Sequence, residues 1–112
     1  MGFGDWMARK GNIGGTARAV AKGWKYISES NPQMSERQIA ETYINFRYGL
    51  TAEPHLAEEV LTSLPYDVNP LILSWTIMMV ENKDEADTLL DNMVKWKQIM
   101  REEIEKFGIK PE

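Results

Sequence analysis

The sequence predicts an all-α fold, a compact orthogonal bundle of four or five helices, and three observations carry that prediction. Apolar residues recur at spacings of three and four along most of the chain. Cap and breaker residues stand where those stretches should begin and end. No alternating strand pattern of any length occurs, and no internal repeat is visible. A chain of 112 residues fits one domain that buries roughly 65% of its unfolded surface, enough for a core without disulfides or metals.

Gly11, Gly14 and Gly15 separate a short basic segment from the rest of the chain, so residues 1–15 read as a flexible basic arm, 16–108 as a single helical domain and 109–112 as a tail. Thr16 offers an N-cap hydroxyl to a helix with Ala17, Val20, Ala21, Trp24 and Ile27 on one face and Arg18, Lys22, Lys25 and Glu29 on the other. Gly23 costs that helix up to about 1 kcal/mol relative to alanine, which points to a close approach by another backbone. Asn31-Pro32 ends it.

Ser35-x-x-Gln38 is a capping box, and Ile39, Tyr43, Phe46 and Leu50 define the stripe of a second helix stopping near Gly49. Thr51, with Pro54 in the first turn, opens a third helix through Leu56, Val60 and Leu61, and Leu64-Pro65-Tyr66-Asp67 reads as a turn. Asn69 caps and Pro70 begins a fourth helix that is apolar almost all round over residues 71–80, the expected centre of the core. That apolar run is far short of the roughly 20 residues that span a bilayer.

Asn82-x-x-Glu85 reads as another capping box, opening one last helix over residues 83–107 with Ala86, Leu90, Met93, Lys97, Met100, Ile104 and Phe107 in a 4,3 alternation, closed by Gly108 and Pro111. At about 25 residues it would be roughly 37 Å long. Its shorter neighbours cannot cover that length. Trp96, Met100, Ile104 and Phe107 are therefore the candidate partner-binding residues, rimmed by Lys95, Lys97, Arg101, Glu102, Glu103 and Glu105.

Charge is unevenly placed. The net charge of −4 divides into +4 through Ser28 and −8 beyond it. Arg9, Lys10, Arg18, Lys22 and Lys25, interleaved with Trp6, Trp24 and Tyr26, form a candidate anion-binding set for nucleic acid or an anionic membrane surface. Trp24 falls on the Val20 and Ile27 stripe and so reads as core. The basic helix could equally dock on the acidic remainder of its own chain.

Other constellations are weak. The Gly11-x-x-Gly14-Gly15-Thr16 stretch lacks the Walker spacing and a preceding strand. His55, Glu58 and Glu59 share a helix turn, but the chain has one histidine, so a solvated helix start is the better reading. Glu81, Asp84, Glu85, Asp87 and Asp91 complement a helix dipole and keep the surface soluble. Met78, Met79, Met93 and Met100 fall on core stripes. Met1-Gly2 opens like a myristoylation start, except that Trp6 stands where Ser or Thr is wanted, and no secretory h-region comes after Arg9 and Lys10.

With no cysteine, no HExxH motif and no Ser-His-Asp grouping in a defined context, no enzyme, cofactor or metal is expected. The expectation is a cytoplasmic, non-enzymatic interaction module that offers helix faces to a protein partner or to a second copy. A nucleic-acid or anionic-membrane adaptor using the basic segment is the alternative.

Overall fold

The computed structural model describes the backbone of residues 3–49 and 51–112 and the side chains from Ala8 onward, Leu50 excepted. Among the described residues six α-helices come one after another: α1 (Phe3–Ser30), α2 (Glu36–Gly49), α3 (His55–Ser63), α4 (Pro70–Glu81), α5 (Ala86–Asp91) and α6 (Met93–Glu105), with a 3₁₀ turn at Lys83–Glu85. No strand occurs among the described residues, which bears out the all-α class.

The longest element is the first, contrary to expectation. The helix expected to open at Thr16 begins at Phe3 and runs through Gly11, Gly14 and Gly15 for 28 residues. At 1.5 Å per residue that is about 42 Å, nearly the 45 Å long axis of the molecule. Ile13 explains the extension. It is fully buried four residues ahead of Ala17, so the apolar stripe does not stop at the glycines, and packing of that stripe outweighs their poor propensity. Thr16 is accordingly no cap: its hydroxyl donates to the carbonyl of Asn12 within the helix at 3.0 Å.

The 83–107 helix is likewise corrected, because it is broken. Asn82 leaves helical geometry with φ −128° and ψ 47°, and its side chain donates back to the Met78 carbonyl at 2.8 Å. It thus closes α4 and forms no box with Glu85. A second break at Asn92 separates α5 from α6. The break lets Leu89 turn into the core while Leu90, expected on the stripe, stays half exposed.

Three local signals elsewhere are realised as the sequence implies, whereas the third helix begins at His55 and not at the expected Thr51. The Gln38 amide donates to Ser35 Oγ at 3.1 Å and the Ser35 amide to Gln38 Oε1 at 2.9 Å, completing the capping box. Asn69 Oδ1 accepts from the Ile72 amide at 2.8 Å with Pro70 in the first turn. Gly108 takes a φ of +78°, the left-handed turn that glycine adopts without a steric penalty. The last residues return to α4, where the Leu71 amide donates to the Pro111 carbonyl at 2.9 Å.

Two apolar clusters share α1 and α4. Val20, Trp24 and Ile27 join Ile39, Tyr43 and Ile44 of α2, Val60 of α3, and Leu73 and Ile77 of α4. On the other side Ile13, Ala17 and Ala21 join Leu71 and Met78 of α4, Leu89 of α5, and Trp96, Met100 and Ile104 of α6. The fourth helix is the centre of the core, as its composition implied. Its one deeply buried hydroxyl, on Ser74, is satisfied by the Pro70 carbonyl at 2.8 Å.

Gly23 marks the tightest contact between α1 and α2. A Cβ there would lie 2.5 Å from the edge of the buried Tyr43 ring, whereas one at Gly11 would meet nothing within 4 Å. Gly11→Ala should therefore stabilise the protein by about 0.5–1 kcal/mol through helix propensity. Gly23→Ala should destabilise it by about 1–3 kcal/mol through overpacking, despite the same propensity gain. Urea unfolding of the two variants checks both, and equal effects would show that the ring yields.

Candidate functional site: a groove between the first two helices

One face of the α1–α2 hairpin packs into the core, and the opposite face is open. A groove of about 610 Å³ runs there, walled by Ala19, Lys22, Gly23, Tyr26 and Ile27 from α1 and by Thr42, Tyr43, Phe46 and Arg47 from α2. Its floor is low because Gly23 has no side chain and Ala19 has only a methyl. Its walls are aromatic. Tyr26 is 74% exposed and Phe46 76% exposed, unusual for rings that contribute this much apolar area.

The exposure of Phe46 is a correction, since its spacing from Ile39 and Tyr43 placed it on the buried stripe. The second helix carries more apolar residues than one face can take. Ala40, Ile44 and Tyr48, at intervals of four, join Ile39 and Tyr43 in the interior, and Phe46 is left on the groove side. Leu50, placed on the same stripe, lies outside the described residues.

At one end the groove is held by a polar network. The Arg47 guanidinium donates to both oxygens of Glu81, at 3.0 and 3.1 Å, and to the Tyr43 hydroxyl at 3.0 Å. The Tyr48 hydroxyl donates to Glu81 at 2.5 Å. Burial raises the Tyr48 phenol well above the usual tyrosine range, and the hydrogen bond and negative charge of Glu81 add to it against the opposing pull of Arg47. Burial also raises Tyr43, with Arg47 opposing. Arg47 remains charged because its bonds to Glu81 and Tyr43 outweigh the cost of its own burial.

Beyond Arg47 lies a larger and more polar concavity of about 830 Å³, lined by Tyr48, Glu53, His55, Glu59, Lys83 and Asp84 among others. The Lys83 ammonium sits 2.5 Å from the Glu59 carboxylate, while Glu58 is exposed to solvent. No group of three or more His, Cys, Asp or Glu side chains able to hold a metal occurs among the described residues.

The four residues assigned to partner binding are not assembled into a surface. Trp96 is 2% exposed, Met100 and Ile104 are fully buried, and Phe107 is partly buried against the same cluster. Their apolar stripe is covered by α1, which the helix start expected at Thr16 had left too short to do so.

The five candidate anion-binding residues are divided. Arg9 pairs with Glu85 at 3.3 Å and Arg18 with Glu103 at 3.1 Å, so part of the basic face docks on the acidic remainder of its own chain. Lys22 lines the groove, Lys25 is partly buried one turn further along, and Lys10 is exposed. Trp6 lies outside the described side chains. Trp24 is in the core, as its spacing implied. The 11–16 glycine stretch lies inside a helix and presents no helix N-terminus to a phosphate.

No helix among the described residues is long and apolar enough to cross a membrane. Comparison with protein-family models, with curated proteins and with solved structures finds no match to this chain.

These networks imply two pH dependences. Tyr48 is favoured in its protonated form by folding, so its contribution is complete below the ordinary tyrosine value of 10.0 and drains away as pH rises through the higher folded value. Tyr48→Phe should cost about 1 kcal/mol at neutral pH and show a shallower loss of stability as pH rises above the ordinary tyrosine value of 10.0, measured by urea midpoints. At Glu103, burial opposes ionisation, but hydrogen bonds from Lys106 and Arg18 outweigh it and lower the carboxyl below its usual range. Its contribution is present above the ordinary carboxylate range and lost as pH falls through the folded value. Glu103→Gln should flatten the acid limb of the thermal midpoint and leave the alkaline limb unchanged.

Proposed function

We propose that this chain is a non-enzymatic interaction module that seats an apolar segment of a protein partner, or of a second copy, in the groove between α1 and α2. The observation that carries the reading is the pair Tyr26 and Phe46, each about three-quarters exposed, standing on opposite walls of a nearly wholly apolar channel. Aromatic side chains of this kind are the anchors of protein interfaces, since they bring large contact area at a small entropy cost. The channel has no convergent set of acid, base and nucleophile, which favours binding over catalysis.

The interaction module expected from the sequence is kept, and its surface moves from the last helix to the first two. A cytoplasmic setting, suggested by the absence of cysteine, belongs to the same proposal. An anionic-surface adaptor draws less support, because Arg9 and Arg18 are engaged with Glu85 and Glu103.

The test is a photo-crosslinking amino acid replacing Ala19 in the groove, with Tyr66, 84% exposed elsewhere, as the control position. In living cells the groove position should give one discrete adduct, to a foreign protein or to a second copy, and the control none. Adding Tyr26→Ser and Phe46→Ser should remove the adduct while unfolding free energy changes by about 0.5 kcal/mol or less per site. The same adducts from both positions, or none from the groove, would overturn the reading.

A further inference from the structure

We infer that the occupant of the α1–α2 groove is an amphipathic helix of a partner protein, with acidic residues flanking its apolar anchors. The inference rests on the reading of the groove as a docking site and adds the chemistry of what docks.

Shape is the first ground. The α1 wall is a helical ridge, with Ala19, Gly23 and Tyr26 at i, i+4 and i+7, and the facing wall is another, with Thr42 and Phe46 at i and i+4. Two such ridges side by side leave a furrow into which the i, i+3 or i+4, i+7 side chains of a third helix interdigitate. The opposite face of the same hairpin already takes helices in this way, from α3 and α4. A volume of about 610 Å³ suits a few inserted side chains, with the body of the visiting helix lying above the rim.

Charge is the second ground and selects the partner. Among the described residues, the charged side chains of the lining are Lys22 and Arg47, both cationic, with no carboxylate beside them. This occurs on a chain with 17 acidic and 13 basic side chains. Arg47 is fixed in place by Glu81 and Tyr43. Lys22 is exposed and forms no ion pair with a described residue, and Lys25 stands one turn along from it. The next acid along α1 is Glu29, seven residues beyond Lys22 and four beyond Lys25. Carboxylates on a docked helix would meet Lys22 at the rim, and lysines there would be repelled.

Three synthetic helices with identical leucine anchors at i, i+3, i+4 and i+7 test this, with flanks of glutamate, glutamine or lysine, titrated into the full ¹⁵N-labelled chain. The glutamate helix should shift the amides of Gly23, Tyr26 and Phe46 and bind tightest, with the lysine helix weakest. Its affinity should fall roughly threefold to tenfold on Lys22→Glu and fall again with added salt. Equal binding of all three in the groove would overturn the acidic occupant and leave the docking reading standing. A groove that crosslinks in cells yet ignores every helix would overturn the helical occupant alone. Shifts that map onto Arg9 and Lys10, or groove shifts that depend on protein concentration without any helix, would overturn it in favour of a general anionic surface or a second copy.

Discussion

The continuous apolar stripe of α1 is the constraint on which the remaining structure depends. Ile13, Ala17, Val20, Ala21, Trp24 and Ile27 are all buried, and they divide between the two clusters that make up the core. No other helix except α4 serves both. Because α1 reaches nearly the full length of the molecule, the α2–α3 layer and the α5–α6 layer are each assembled against it and are joined through it. The three glycines at positions 11, 14 and 15 weaken its local preference for helix, and tertiary burial of Ile13, Val20 and Ile27, each worth roughly 1.5–3 kcal/mol, overrides that weakness.

The same helix sets the conditions for the open groove. Gly23 allows the Tyr43 ring to lie against the α1 backbone, which brings the two helices close and lowers the floor between them. With its ring lodged there, Tyr43 presents its hydroxyl to Arg47, and Arg47 is turned toward Glu81 of α4. A contact defined by the absence of a side chain therefore fixes the position of a cation at the groove's end. The order runs from a missing methyl, through ring packing, to electrostatics.

Features decided within one helical turn were legible in the sequence. The Ser35–Gln38 box, the Asn69–Pro70 start and the Gly108 stop depend on residues within a few positions of each other, and all three form as their chemistry implies. Features decided by competition between local and distant partners were not. Asn82 had a choice between capping forward to Glu85 and reaching back to the Met78 carbonyl, and it takes the second. The stripe of Trp96, Met100 and Ile104 was visible as apolar, but whether its cover came from the same chain depended on where α1 began. Phe46 and Tyr26 could not be picked out as a pair, because their exposure depends on how two helices rotate against one another. The surplus of apolar residues in α2, with Ala40, Ile44 and Tyr48 competing with Phe46 for one interior, was the available signal.

The break at Asn92 makes the molecule mechanically uneven. Only six residues long, α5 has Leu89 as its single buried side chain, and the 3₁₀ turn before it has none. The ion pair from Arg9 to the half-exposed Glu85 adds little to that hold. Residues 83–91 are therefore held by fewer buried side chains than α4 or α6, and their local opening costs less than that of those two helices. Amide protons there should exchange with solvent sooner than those of α4 and α6, in a segment whose first residues, Lys83 and Asp84, border the polar concavity beyond Arg47 at the groove's end.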